Sequence, residues 1–238
     1  MSIAENILRL REQIDAAARQ SARNPEQITL MAVTKTVPPQ RIREAYAAGI
    51  RWFGENRVAE FAAKLDAIDD RNQARWHMIG HLQSNKARRA VELFDGVDSV
   101  DSLRLAHKLN QAAAGLGKKL AVLIEINIAG EASKSGLAPD SSEFDDLLSA
   151  APELTSLDFQ GLMTVPPYSE DPEDSRPYFR KMRELFDEIG HRSVASIAMN
   201  VLSMGMSHDF QVALEEGATC VRLGTAIFGE RPLVRSNR

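Results

Sequence analysis

Eight apolar segments of strand-like composition, each followed by a helix-like or turn-like segment, constrain this chain more than any other feature. The strand candidates are 28–35, 50–56, 75–80, 97–100, 120–127, 157–165, 200–205 and 219–223. Between them, apolar residues recur at helical spacing over 39–48, through Val58, Phe61, Leu65 and Ile68, and over 84–93, 102–114, 140–150, 173–189, 208–216 and 225–228. Gly49, Gly115 and Gly217 stand where C-terminal helix caps belong. Alternation at this count favours a closed parallel (β/α)8 barrel, with an open doubly wound sheet as the alternative. A chain of 238 residues suits one such barrel, so 1–238 is expected to be a single domain.

Composition narrows the function classes. Lys and Arg number 29 against 33 Asp and Glu, a net charge of -4, which argues against a nucleic-acid binder held by bulk electrostatics. The N-terminus has no continuous apolar stretch; Ile3, Ile7, Leu10 and Ile14 instead mark an amphipathic helix rather than a signal peptide. No run approaches the ~20 apolar residues of a membrane span. The expectation is a soluble, cytoplasmic protein with neither membrane nor nucleic-acid partners. The lone cysteine, Cys220, opens an apolar strand and reads as a small core residue.

Chemistry enters with the first strand, which ends at Lys35 before Thr36-Val37-Pro38-Pro39. Alternation puts Met31, Val33 and Lys35 on one face. An ammonium group in line with apolar residues loses hydration, which lowers its pKa and frees its lone pair for carbonyl chemistry. The bland alternative leaves Lys35 in water beyond the strand.

Barrel active sites lie at the C-terminal strand ends, and phosphate is often held after strands seven and eight. Ser207 is expected to cap the helix after strand seven, and Gly224-Thr225 opens the last helical segment after strand eight. Alternation also places Arg222 with Cys220 and Gly224, facing the barrel interior if Val221 and Leu223 face the helices. In a closed barrel the eighth strand pairs with the first, making Arg222 and Lys35 neighbours. A lysine, an arginine and a phosphate cradle at one mouth suit an aldehyde that also carries phosphate. His77 and His81 lack accompanying ligands at metal spacing, so zinc is not expected. Lys86, Arg88 and Arg89 read as a solvated helix face, and Ser133-Lys134-Ser135-Gly136 as a loop near the mouth or a linker.

Several segments, in order along nearly the whole chain, resemble the pyridoxal phosphate homeostasis protein family. They are Ala32-Val33-Thr34-Lys35-Thr36, Phe53-Gly54-Glu55-Asn56, Trp76-His77-Met78-Ile79-Gly80 with Leu82-Gln83-Ser84-Asn85-Lys86, Ser133-Lys134-Ser135-Gly136-Leu137 and Gly161-Leu162-Met163. Leu202-Ser203-Met204-Gly205-Met206-Ser207 with Asp209, and Val221-Arg222-Leu223-Gly224-Thr225-Ala226-Ile227-Phe228-Gly229, complete the match. The chain departs at His81, where many relatives carry proline, and at Val37, where some carry a second lysine.

The resemblance implies a TIM barrel similar to the alanine racemase N-terminal domain, with pyridoxal 5'-phosphate (PLP) held on Lys35 as an internal aldimine, a Schiff base. It implies that Asn56 lies beside the cofactor ring and Arg222 near the pyridine nitrogen, with Ser207, Gly224 and Thr225 at the phosphate. The implied role is vitamin B6 (PLP) homeostasis with little or no turnover, with PLP-dependent apoenzymes as candidate recipients; a monomer is expected because the racemases' partner domain is not. Racemisation needs acid–base groups on both faces of the cofactor. The β-domain that completes the far face in racemases is not expected in a chain ending at Arg238. Two other readings stay open: an amino-acid racemase using Tyr168 or His81 as second base, and an aldolase-like Schiff-base enzyme acting on a sugar phosphate.

Overall fold

Hydrogen bonding between the first and last strands decides the architecture. In the computed structural model, which describes residues 1–68, 73–131, 134–192 and 194–230, β1 (Thr29–Val33) and β8 (Cys220–Leu223) pair in parallel with Met31 opposite Arg222 and Ala32 opposite Leu223. The intervening strands are β2 (Trp52–Glu55), β3 (Arg75–Met78), β4 (Gly96–Val100), β5 (Leu120–Glu125), β6 (Leu157–Met163) and β7 (Ile197–Met206). They follow in sequence order around a closed barrel, so the open-sheet alternative is excluded.

Helices alternate with the strands: α1 (Ile3–Gln20), α2 (Pro39–Ala47), α3 (Val58–Lys64), α4 (Ala87–Leu93), α5 (Leu103–Gly115), α6 (Ser142–Ala150), α7 (Arg176–Arg192), α8 (Phe210–Glu215) and α9 (Thr225–Phe228). Each expected element is present, and the differences lie at its ends. Strand 28–35 stops at Val33, and the helix expected through Ile68 ends as α3 at Lys64 followed by a 3-10 turn. α1 starts with a capping box, Ser2 and Glu5 each taking the other's N–H. It lays Ile3, Ile7, Leu10 and Ile14 against α2, α8 and α9, each burial stabilising by about 1.5–3 kcal/mol.

Alternation sorts the strands into two layers. Ala32, Phe53, Trp76, Val122, Ile124, Val221 and Leu223 face outward and pack beneath the helices. Phe53, Phe61 and Phe94 stack in series with Trp76 between β2, α3 and α4. The inward set is smaller and partly polar. Near the N-terminal floor, Met31, Trp52, His77, Asp98, Leu123 and Cys220 line a cavity of about 170 Å³. His77 Nδ1 and Asp98 Oδ1 pair at 2.6 Å there, both side chains buried. Cys220 is buried as expected, and burial pushes its thiol pKa up to about 12. Among the described residues, no helix is long and apolar enough to cross a membrane.

Candidate functional site

Lys35 lies two residues past β1, half-buried, as the second residue of a tight turn. The turn closes through the Val37 N–H donating to the Thr34 carbonyl at 2.9 Å. Its third residue, Thr36, is left-handed with φ 61°, a conformation a β-branched residue seldom adopts. The simple strand alternation of the sequence reading therefore ends before the lysine, and a turn aims it instead. Thr34 is buried, and its hydroxyl donates to Glu55 Oε1 at 2.7 Å.

On β2, Trp52 and Gly54 face inward and Phe53 and Glu55 outward, which carries Asn56 back to the barrel mouth. Asn56 Oδ1 is buried and has no hydrogen-bond partner among the described residues. Such an orphan costs about 1–3 kcal/mol unless something occupies its lone pairs. Gly80, after β3, presses on the Asn56 backbone: a Cβ there would stand 2.6 Å from the Asn56 carbonyl oxygen.

Arg222 points into the barrel, 4 % exposed. Its Nη1 donates to Ser203 Oγ at 2.7 Å and its Nη2 to the Thr164 carbonyl at 2.8 Å, so the ends of β6 and β7 fix the guanidinium. Burial draws its proton affinity down, while the charges of Asp98, Glu125 and Asp209 oppose that drop. Opposite Met31, Arg222 sits deeper in the barrel than Lys35 does. Ser203 entered the sequence reading only as part of the Leu202–Ser207 motif, with no role, although alternation places it opposite the outward Leu202 and Met204; Thr164 escaped it.

Ser207 plays a different part from the one expected. α8 begins at Phe210, and the Asp209 carboxylate takes the Met206 N–H at 2.6 Å and the Ser175 hydroxyl at 3.2 Å. The Ser207 hydroxyl instead reaches the next loop and accepts the N–H groups of Gly224 at 3.1 Å and Ala226 at 3.2 Å. The two glycine-containing loops are thereby joined into one wall, with Thr225 exposed upon it. A Cβ on Gly224 would lie 3.6 Å from Val33 Cβ, so this wall adjoins the end of the lysine's strand.

The far side of the mouth is acidic. Glu125, at the end of β5, is 7 % exposed; Oε1 accepts from Ser135 at 3.0 Å and Oε2 is buried without a partner among the described residues. Burial raises its pKa above the usual carboxylate range, and Asp101, Arg222 and His81 act on it electrostatically. His81 pairs with Asp101 at 2.7 Å. Tyr168, on the rim, is 77 % exposed and tilts against His208. Lys86 falls in the 3-10 turn before α4, and Arg88 and Arg89 pair with Glu92 on the exposed face of α4. Of the loop motif, Lys134 pairs with Glu131, and Ser133 lies outside the described residues.

The lysine turn, a buried amide oxygen, a clamped guanidinium and the joined loops after β7 and β8 meet at one end of the barrel. Comparisons with known proteins bear on the family and the fold. Residues 5–232 match the family described as alanine racemase, N-terminal domain. The pyridoxal phosphate homeostasis protein of Aquifex aeolicus is 44% identical over 231 residues, spanning 97% of this chain and 99% of that protein. The structure of PipY from Synechococcus elongatus with PLP bound superposes with a TM-score of 0.80 at 37% identity, covering 96% of this chain and 100% of that one. An alanine racemase of Clostridium difficile shares the fold with a TM-score of 0.70 at 18% identity, and only 57% of its chain is covered.

Proposed function

Because this chain belongs to the alanine racemase N-terminal domain family, and within it to the pyridoxal phosphate homeostasis proteins, we propose that it binds PLP at the barrel mouth through Lys35 and buffers or delivers the cofactor without efficient turnover. The supporting observation is the close approach of Gly224 to Val33, which sets the loop after β8 beside the end of the lysine's strand. When bound, PLP supplies an aldehyde that condenses with a primary amine and a ring able to accept electrons.

The chain's own residues divide the work. Lys35 supplies the amine. Ser207, Gly224 and Thr225 would hold the phosphate: the Gly224 N–H is given to Ser207 Oγ, so the donors are the Ser207 and Thr225 hydroxyl groups, with Gly224 leaving room for the anion. The orphaned Oδ1 of Asn56 takes a partner from the ring side. Arg222, held by Ser203 and Thr164, would be the residue toward the pyridine nitrogen, as a donor that does not give up its proton. In that role Arg222 would keep the nitrogen unprotonated, weakening the ring as an electron acceptor and disfavouring racemase chemistry. The expected recipients are apoenzymes that need the same cofactor, and the expected state is a cytoplasmic monomer.

The test is an absorption spectrum of the purified protein beside Lys35→Ala, followed by borohydride reduction and peptide mapping. A visible band and a pyridoxyl group on Lys35, both absent from the variant, are expected. Rapid solvent-deuterium exchange at the Cα of alanine or serine would instead establish an enzyme. A colourless protein trapped only with a sugar phosphate would move the reading to aldolase-like chemistry.

A further inference from the structure

Lys64, at the C-terminal end of α3, is 9 % exposed, and its ammonium group has three acceptors. Nζ donates to the Thr34 carbonyl at 2.8 Å, to Glu55 Oε1 at 2.9 Å and to Glu60 Oε1 at 2.7 Å. An ammonium carries three donors, so this set satisfies it completely. Each acceptor is also tied to the turn that presents Lys35. The Thr34 carbonyl closes that turn by accepting from Val37, and Glu55 Oε1 accepts the Thr34 hydroxyl. Glu60 Oε1 accepts the N–H of Thr36, the left-handed residue. The residues immediately before and after Lys35 are thus joined through one buried cation.

A charge this deeply placed is costly unless it is fully paired, and a smaller apolar side chain would fill the same space under α3. What the cation adds is geometry. Thr36 stands where glycine or asparagine is usual, and the carboxylate that takes its N–H is itself held by Lys64. We propose that Lys64 is a positioning residue for the cofactor site: through Thr34, Glu55 and Glu60 it holds the 34–37 turn in the one conformation that aims Lys35 at PLP. This rests on the PLP reading above, but it is a claim about the turn and can fail by itself.

The experiment compares full-length wild type, Lys64→Met, Glu60→Gln and Phe144→Leu. Phe144 is a buried core residue of α6, which joins β5 to β6 across the barrel from β1 and β2, and reports what general destabilisation does. Glu60 is only half-buried, so its variant folds even if Lys64→Met does not. Readouts are the melting temperature, the affinity of the stripped protein for PLP, and the fraction of Lys35 fixed by borohydride at saturating PLP. Lys64→Met is expected to weaken PLP binding at least tenfold and to cut the trapped fraction by half or more. Glu60→Gln should weaken binding several-fold, while Phe144→Leu lowers the melting temperature and leaves both cofactor readouts at wild-type values. If the wild type traps PLP on Lys35 and the Lys64 and Glu60 variants trap and bind it equally well, the positioning role is wrong and the PLP reading stands. Wild type that takes no PLP on Lys35 overturns both.

Discussion

Ser207 Oγ accepts the N–H of Gly224 at 3.1 Å, linking the loop after β7 to the start of α9. With the second bond from Ala226, one hydroxyl organises two of the N–H groups that open a four-residue helix. Ser207→Ala removes both bonds, a loss comparable to deleting an N-cap, so unfolding free energy should fall by about 1 kcal/mol. PLP affinity should fall further, by roughly tenfold, because each 1.4 kcal/mol of lost contact is a factor of ten. Chemical denaturation and a PLP titration measure the two effects. An unchanged dissociation constant would remove Ser207 from the phosphate site.

Arg222 joins three strands at once: β8 through its backbone, β7 through Ser203 and β6 through Thr164. Arg222→Ala leaves an interior hole and two interior acceptors without a donor. Urea unfolding should show a loss of about 3–5 kcal/mol. Arg222→Lys keeps the charge but cannot reach both acceptors with the same planar fork, and should sit between the two.

His77 and Asp98 make stability depend on pH. Burial alone would lower the His77 pKa, but the charge and hydrogen bond of Asp98 outweigh it, and the folded-state pKa lies above the ordinary value. A raised folded pKa means the folded state binds the proton more tightly. The contribution is complete below the unfolded pKa, about 6.5, and is lost as pH rises through the folded value. Wild type should therefore lose melting temperature from neutral pH into the alkaline range. Asp98→Asn should lie lower throughout and lose that slope, and a slope that survives in the variant would assign it to other groups.

Glu125 is also held above its ordinary pKa, here by burial. Its ionisation disfavours the folded state, so its stabilisation is likewise present at low pH and fades as pH passes the folded value. Glu125→Gln supplies a neutral side chain of the same shape that keeps a partner for Ser135. At pH 8 the variant should melt above wild type, and at pH 4, below the unfolded carboxylate value of about 4.3, the two should converge. A variant that melts lower at both pH values would mean the carboxylate is used ionised.

The barrel was legible because its signal is periodic: apolar runs such as 120–127 and glycine caps such as Gly217 repeat along the chain. Arg222 could be oriented from alternation alone, since the outward places were taken by Val221 and Leu223. Ser207 was rightly assigned to the mouth but given the wrong partner, because a hydroxyl's choice between the next helix and a neighbouring loop depends on how two loops approach. The Lys64 cluster was invisible for a related reason. Its members are spread from Thr34 to Lys64, and only the docking of α3 on the lysine turn brings them together. A lysine at the end of a helix reads as a surface residue until the packing is known.

Trp52 stands at the floor of the barrel, its ring tilted 52° to that of His77 with centroids 5.0 Å apart. The other tryptophan, Trp76, is sealed in the outer layer with the phenylalanines. A protonated imidazole at that range quenches indole emission, so the protein carries an optical reporter of its own interior titration. Fluorescence should brighten as His77 gives up its proton, letting the charge state at one end of the barrel be followed while PLP is titrated at the other.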